Sequence, residues 1–93
     1  MSKRLETFDV AKYLDSKEVI AEYLSQILAD GDLDELLVAI GDIAKAKGMV
    51  QIAKDTGLGR ESLYKSFSAG AKPRFDTVLK VLNSLGIRLE AVA

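Results

Sequence analysis

The sequence contains neither cysteine nor histidine, and these two absences exclude most catalytic chemistry. Without cysteine there is no disulfide framework and no thiol nucleophile. Without histidine the chain lacks the commonest metal ligand and the commonest general base near neutral pH. Paired carboxylates remain, but they need a cleft, which a chain of 93 residues rarely offers. We therefore expect no enzyme activity, no metal site and no cofactor.

Long apolar runs are also absent. No stretch reaches the roughly 18 residues with few charges that a membrane-spanning helix needs. Residues 1–7 form no apolar signal core, so we expect a cytoplasmic protein and no secretion. Hydrophobic residues make up 48% of the chain, which is too many for a disordered tail. Because no linker interrupts the pattern, residues 1–93 are expected to form one domain.

Charge is divided unevenly along a chain whose formal net charge is −1. Residues 1–43 carry 4 basic and 10 acidic side chains, whereas residues 44–75 carry 7 basic and 2 acidic ones. Residues 76–93 hold 2 of each sign. One segment is thus suited to phosphate and another to a basic partner. Two solvated faces would give the same division, so charge alone leaves both interpretations open.

Helical periodicity dominates the acidic part, residues 1–48. A short first helix is predicted around residues 8–14. Asp15 to Glu18 forms a capping box in which Asp15 is expected to cap the next helix. A second capping box, Asp32 to Glu35, predicts the start of a further helix. Gly31 is expected to end the first of these two helices and Gly48 the second. The apolar stripes of these helices comprise Val19, Ile20, Tyr23, Leu24, Ile27 and Leu28, then Leu33, Leu36, Leu37, Ile40, Ile43 and Ala44.

The remainder predicts two short helices at about 50–56 and 60–67, a loop at 68–72, and a last helix that ends at Gly86. Pro73 is expected in the first turn of that last helix. The tail 87–92 alternates between apolar and polar residues, as a short strand would. A lone strand would need a partner edge, for instance in a second subunit, and a frayed terminus is an equal alternative.

The segment 49–67 has the pattern of a helix-turn-helix, two short helices that meet at a steep angle. Gly57 stands where the turn needs positive φ. Ile52 and Ala53 are expected to face inward, and Leu58 to fill the corner. Leu63 and Phe67, four residues apart, are expected to anchor the second helix. A helical hairpin with a solvated polar face is the plainer alternative.

If the second helix is anchored in this way, its other side chains are free to enter a DNA major groove. We assign base contacts to Arg60, Glu61 and Ser62 at the start of that helix, with Glu61 an acceptor for a cytosine amino group. Tyr64 could reach a base or a phosphate, and Lys65 would neutralise a phosphate. The remaining predicted contacts are to the DNA backbone. Gln51 lies near the start of the first helix, where its side-chain amide could bind a phosphate beside the free backbone amides of that helix. Lys72 and Arg74, just after the motif, are expected to hold the flanking backbone.

The run from Gln51 to Ile87 resembles the helix-turn-helix of phage repressors and Cro proteins. Two departures stand out: Gly59 replaces the usual serine or threonine cap, and Ser66-Phe67 replaces an apolar residue followed by glutamate. Nearly the whole chain is similar to HigA-like addiction module antidotes, most specifically in Gly59 to Tyr64 and Lys72 to Phe75. The implied fold is all-α, with five to six short helices in a lambda-repressor-like arrangement.

The resemblance implies a bacterial or archaeal antitoxin. Such a protein would neutralise a small RelE- or HigB-like ribonuclease toxin and repress the shared operon as a dimer. The acidic part would offer a surface complementary to a basic toxin. The dimer interface is expected at the C-terminal strand. Two alternatives are a free-standing phage-type regulator without a toxin and an interaction module that has lost DNA binding.

Overall fold

The computed structural model describes residues 16–93, and all secondary structure in that range is helical. The short first helix predicted around residues 8–14 lies outside the described residues. The five helices are α1 (Lys17–Asp30), α2 (Leu33–Lys47), α3 (Met49–Thr56), α4 (Arg60–Ser66) and α5 (Phe75–Ser84).

The helix starts in the acidic part follow local capping chemistry. Asp32 caps α2, as predicted, since its Oδ1 accepts from the amide of Glu35 at 3.0 Å. The prediction for α1 was wrong by one residue: Ser16, not Asp15, is the N-cap, and its Oγ accepts from the amide of Val19. Both residue types cap well, so the sequence alone could not decide between two adjacent candidates.

The predicted helix ends are confirmed at the glycines. Gly31 has φ 79°, and its amide donates to the carbonyls of Ile27 and Leu28. Gly48 has φ 117° and separates α2 from α3. α1 packs against α2, and α3 contacts α2, α4 and α5. α3 therefore occupies the centre of the helical array.

The core draws on every helix. The side chains that are almost fully buried are Ile20, Ile27, Ile40, Ile43, Leu63 and Val81. No charged side chain is buried in residues 16–93. The fold therefore rests on apolar packing, with charge left at the surface.

Two predictions in the last third are corrected. Pro73 does not begin α5, because the N-cap is Arg74 and the helix starts at Phe75. Residues 85–93 form no strand, and Ile87 instead packs into the core while its amide donates to the carbonyl of Leu82. A single chain supplies no pairing edge, so the alternation reflects one buried residue in an irregular tail.

Candidate nucleic-acid interface

The corner between α3 and α4 is built around Gly57. Gly57 has φ 75°, as predicted, and its amide donates to the carbonyl of Ala53 at 2.9 Å. Thr56, which was not among the predicted residues, also holds the corner: its hydroxyl donates to the carbonyl of Ile52 at 2.8 Å. The same hydroxyl accepts from the amide of Leu58 at 3.3 Å. One side chain thus links the last turn of α3 to the residues that lead into α4.

α4 is held against the core by one face. Leu63 and Phe67 are buried, as expected from their spacing. Gly41 in α2 makes this close approach possible, because a Cβ there would lie 2.7 Å from the carbonyl oxygen of Phe67. Ile52 is buried, and Ala53 and Leu58 are half-buried against the core. With that face occupied, the opposite face of α4 points to solvent.

The exposed face of α4 carries the side chains assigned to DNA contacts. These are Arg60, Glu61, Ser62, Tyr64 and Lys65. The ring of Tyr64 is 46% exposed, and the ammonium of Lys45 lies 5.7 Å from its centroid. A cation over an aromatic ring is attracted by the ring's quadrupole, so Lys45 of α2 adds positive charge beside this face. This contact was not predictable from the sequence, since the two residues belong to different helices.

The predicted backbone contacts come from two other elements. Gln51 is exposed on α3, but its amide nitrogen donates to Asp55 Oδ1 at 2.8 Å, and a phosphate would have to compete with that carboxylate. Lys72 and Arg74 are exposed in the loop between α4 and α5. Arg74 Nε lies 3.2 Å from Asp76 Oδ1, in an ion pair whose side chains are 84% and 53% exposed. Such an exposed pair holds an arginine only weakly.

The cations of the basic segment lie at the surface of the protein, and Lys45 of α2 is the one in contact with α4. All seven are exposed, namely Lys45, Lys47, Lys54, Arg60, Lys65, Lys72 and Arg74. Residues 16–93 contain no carboxylate cluster suited to a metal ion, and none of their helices is long and apolar enough to cross a bilayer. This distribution of exposed cations can attract a polyanion.

Over residues 16–93 these features define a small helical protein that presents a cationic helix at a hydrogen-bonded corner. A family model described as "Probable addiction module antidote protein" matches residues 4–93, and the chain belongs to this family. A relative from Haemophilus influenzae (strain Rd), described as an uncharacterized protein, is 44% identical over 90 residues. That alignment spans 97% of this chain and 93% of the relative. No solved structure gives a significant match.

Membership of an antidote family assigns the chain an antitoxin role, which is not enzymatic, and implies a toxin partner.

Proposed function

We propose that this antitoxin also represses its own operon by binding operator DNA through the exposed face of α4, in a helix-turn-helix formed by residues 49–67. The supporting observation is that Leu63 and Phe67 hold α4 by one side while Arg60, Ser62 and Lys65 face solvent. The short helix can then enter a major groove with its first residues against the base edges.

The proposed contacts divide into two kinds. Arg60, Glu61 and Ser62 discriminate bases, and Tyr64 and Lys65 supply contacts at the groove edge. The backbone contacts come from Gln51, Lys72 and Arg74. Base contacts set sequence preference, whereas phosphate contacts set register and salt dependence.

Binding of the chain to its own promoter fragment, measured by fluorescence anisotropy over a range of salt concentrations, tests this proposal. Arg60→Ala should lose about 1–3 kcal/mol of specific binding and relax sequence preference. Lys65→Ala should weaken binding to all sequences and reduce the salt slope by about 0.9. The matched control is Lys80→Ala, which removes an exposed lysine from α5. If neither α4 variant differs from that control, the DNA-binding assignment fails.

We further propose that the toxin partner is a RelE- or HigB-like ribonuclease that meets the acidic part of the chain in the cytoplasm. A ribonuclease must bind RNA phosphates, so a basic toxin surface is expected. α1 and the start of α2, residues 17–35, carry six carboxylates and one lysine. This charge lies on helices other than α4, so toxin and DNA need not compete for the same side chains.

The family match favours an antitoxin over a free-standing phage-type regulator, because an antidote implies a toxin. Since one α4 contacts few base pairs, the repressor is proposed to act as a homodimer on a two-fold operator.

A further inference from the structure

Lys45, near the end of α2, is not among the predicted DNA contacts, but it lies beside the helix that carries them. Its ammonium is 5.7 Å from the centre of the Tyr64 ring, in the one cation–ring contact within residues 16–93. Both side chains are exposed. No carboxylate of that range forms an ion pair with Lys45, so its charge is open to a partner outside the described part of the chain.

The packing of α2 on α4 brings these two side chains together. Gly41 and Lys45 are four residues apart and lie on the same face of α2. A Cβ at Gly41 would lie 2.7 Å from the carbonyl oxygen of Phe67, so the two backbones approach closely at the end of α4. Tyr64 precedes Phe67 by three residues, which is nearly one helical turn. The next turn of α2 therefore places Lys45 level with Tyr64, and the contact follows from the arrangement of the helices.

The position of Tyr64 puts this charge beside the surface proposed to bind DNA. Tyr64 follows Arg60 by four residues, so the two lie on the same face of α4. The other face of the helix is held in the core by Leu63 and Phe67. Phosphates border the major groove, and a cation at the α2 side of a helix in that groove is placed to meet one of them.

We infer that Lys45 binds a DNA phosphate and that the Tyr64 ring positions it for that contact. This inference rests on the proposed function and deepens it, because it adds a binding residue from α2 and makes Tyr64 a positioning residue. An ammonium has three N–H donors, so it can meet the ring's negative face and still donate to a phosphate oxygen. A lysine that the ring already holds loses less side-chain freedom when DNA binds, and this strengthens binding. The ring has this role, and the hydroxyl of Tyr64 does not.

Two substitutions of Tyr64 separate the ring from the hydroxyl, with promoter binding measured by fluorescence anisotropy over a range of salt concentrations. Tyr64→Phe keeps the ring and should bind as the wild type does. Tyr64→Leu removes the ring and should weaken binding about two- to tenfold, which is the cost of ordering one long side chain on binding. Both side chains of the contact are exposed, so circular dichroism should show unchanged helicity.

Substitution of Lys45 tests the phosphate contact itself. Lys45→Ala should lower the salt slope by about 0.9, as loss of one phosphate contact does. It should cost less affinity in a Tyr64→Leu chain than in the wild type, because the ring acts through Lys45. Lys47→Ala is the matched control, since it removes a charge from the same last turn but lies about 200° around the helix axis from Lys45. This control should keep the wild-type salt slope.

Three outcomes overturn the inference. If Lys45→Ala lowers the salt slope no more than Lys47→Ala does, Lys45 makes no phosphate contact of its own. If Tyr64→Phe binds as weakly as Tyr64→Leu, the hydroxyl contacts the DNA, and if the losses of Lys45→Ala and Tyr64→Leu add, the ring does not position the lysine. Promoter binding that requires Arg60 but not Lys45 refutes only this inference, whereas a chain that does not bind its promoter refutes the proposed function and this inference together.

Discussion

At Gly41, α2 meets the end of α4 with no room for a side chain. A Cβ there would lie 2.7 Å from the carbonyl oxygen of Phe67 and 3.0 Å from its Cβ. Glycine inside a helix costs about 1 kcal/mol relative to alanine, so its presence in α2 has to be explained by this contact. The sequence shows a glycine in a helical stripe, but it does not show which residue from elsewhere in the chain lies against it.

Gly41→Ala should therefore destabilise the protein despite its better helix propensity. Overpacking costs about 1–3 kcal/mol, and the propensity gain offsets up to about 1. Since the contact at 2.7 Å is to backbone, the cost should exceed the gain, and we expect a net loss of up to about 2 kcal/mol in the free energy of unfolding in urea. Gly59→Ser is the control, since Gly59 has φ −72° and open space around it, and serine there should stabilise α4 slightly as an N-cap. Equal or greater stability of Gly41→Ala would refute the close-packing explanation.

The hydroxyl of Thr56 is the second residue-scale feature that the sequence did not reveal. Thr56→Val keeps the shape of the side chain but removes the bonds to Ile52 and Leu58. Losing such bonds and leaving the amide of Leu58 unpaired should cost about 1–2 kcal/mol of unfolding free energy. Thr77→Val is the control. Thr77 is a half-buried threonine of α5, and its replacement makes the same chemical change without loss of a hydrogen bond within residues 16–93. Equal losses in the two variants would mean that the Thr56 hydroxyl does not stabilise the corner.

At the scale of the elements, local signals predicted the helix ends better than the helix starts. Gly31, Gly48 and Gly57 end helices as expected, because positive φ is a property of the residue itself. The starts of α1 and α5 were each misplaced by one or two residues, because adjacent residues offered equally good local signals. The tail was mispredicted because its conformation depends on contacts with distant parts of the fold. Ile87 is buried against residues that are distant in sequence, and the local pattern cannot reveal such contacts. The alternation of apolar and polar residues around it therefore suggested a strand.

The cap of α2 gives an element-scale prediction. Asp32→Ala removes the acceptor of the Glu35 amide and should cost about 1 kcal/mol of unfolding free energy. Asp32→Asn keeps an oxygen acceptor and should cost much less. Thermal or urea unfolding of both variants measures the difference. If both lose the same stability, the negative charge at the helix start contributes and the hydrogen bond does not.

At the scale of the molecule, the principal extents of the Cα atoms in the part that the structure describes are 30 × 29 × 25 Å. Successive major grooves on one side of a duplex are about 34 Å apart. In the proposed homodimer, two copies side by side would set equivalent helices about one helical turn apart. The sequence predicted the charge division and the exposed face of α4. The sequence did not predict the apolar groove between α1, α2, α5 and the C-terminal tail, because this groove is assembled from four separate stretches of the chain.

The acidic helix α1 and the cationic helix α4 are separate surfaces, so a charge change in α1 should affect binding of the proposed toxin alone. Reversing two exposed carboxylates of α1, in the double variant Glu18→Lys with Glu22→Lys, should slow association with the proposed basic toxin more than it speeds dissociation. Surface plasmon resonance with a purified RelE- or HigB-like toxin from the same genome measures both rates. Glu90→Lys together with Asp76→Lys changes the net charge equally from other elements. Equal slowing by that pair would show that net charge, and not the face of α1, governs the encounter.

An amide NMR titration of the chain with a duplex of its own promoter tests DNA binding through α4 most directly. Binding by that helix predicts that the largest shift changes fall on residues 60–65, with smaller ones near Gln51, Lys72 and Arg74. Shift changes confined to α1 and the first half of α2, with residues 60–65 unaffected, would contradict it.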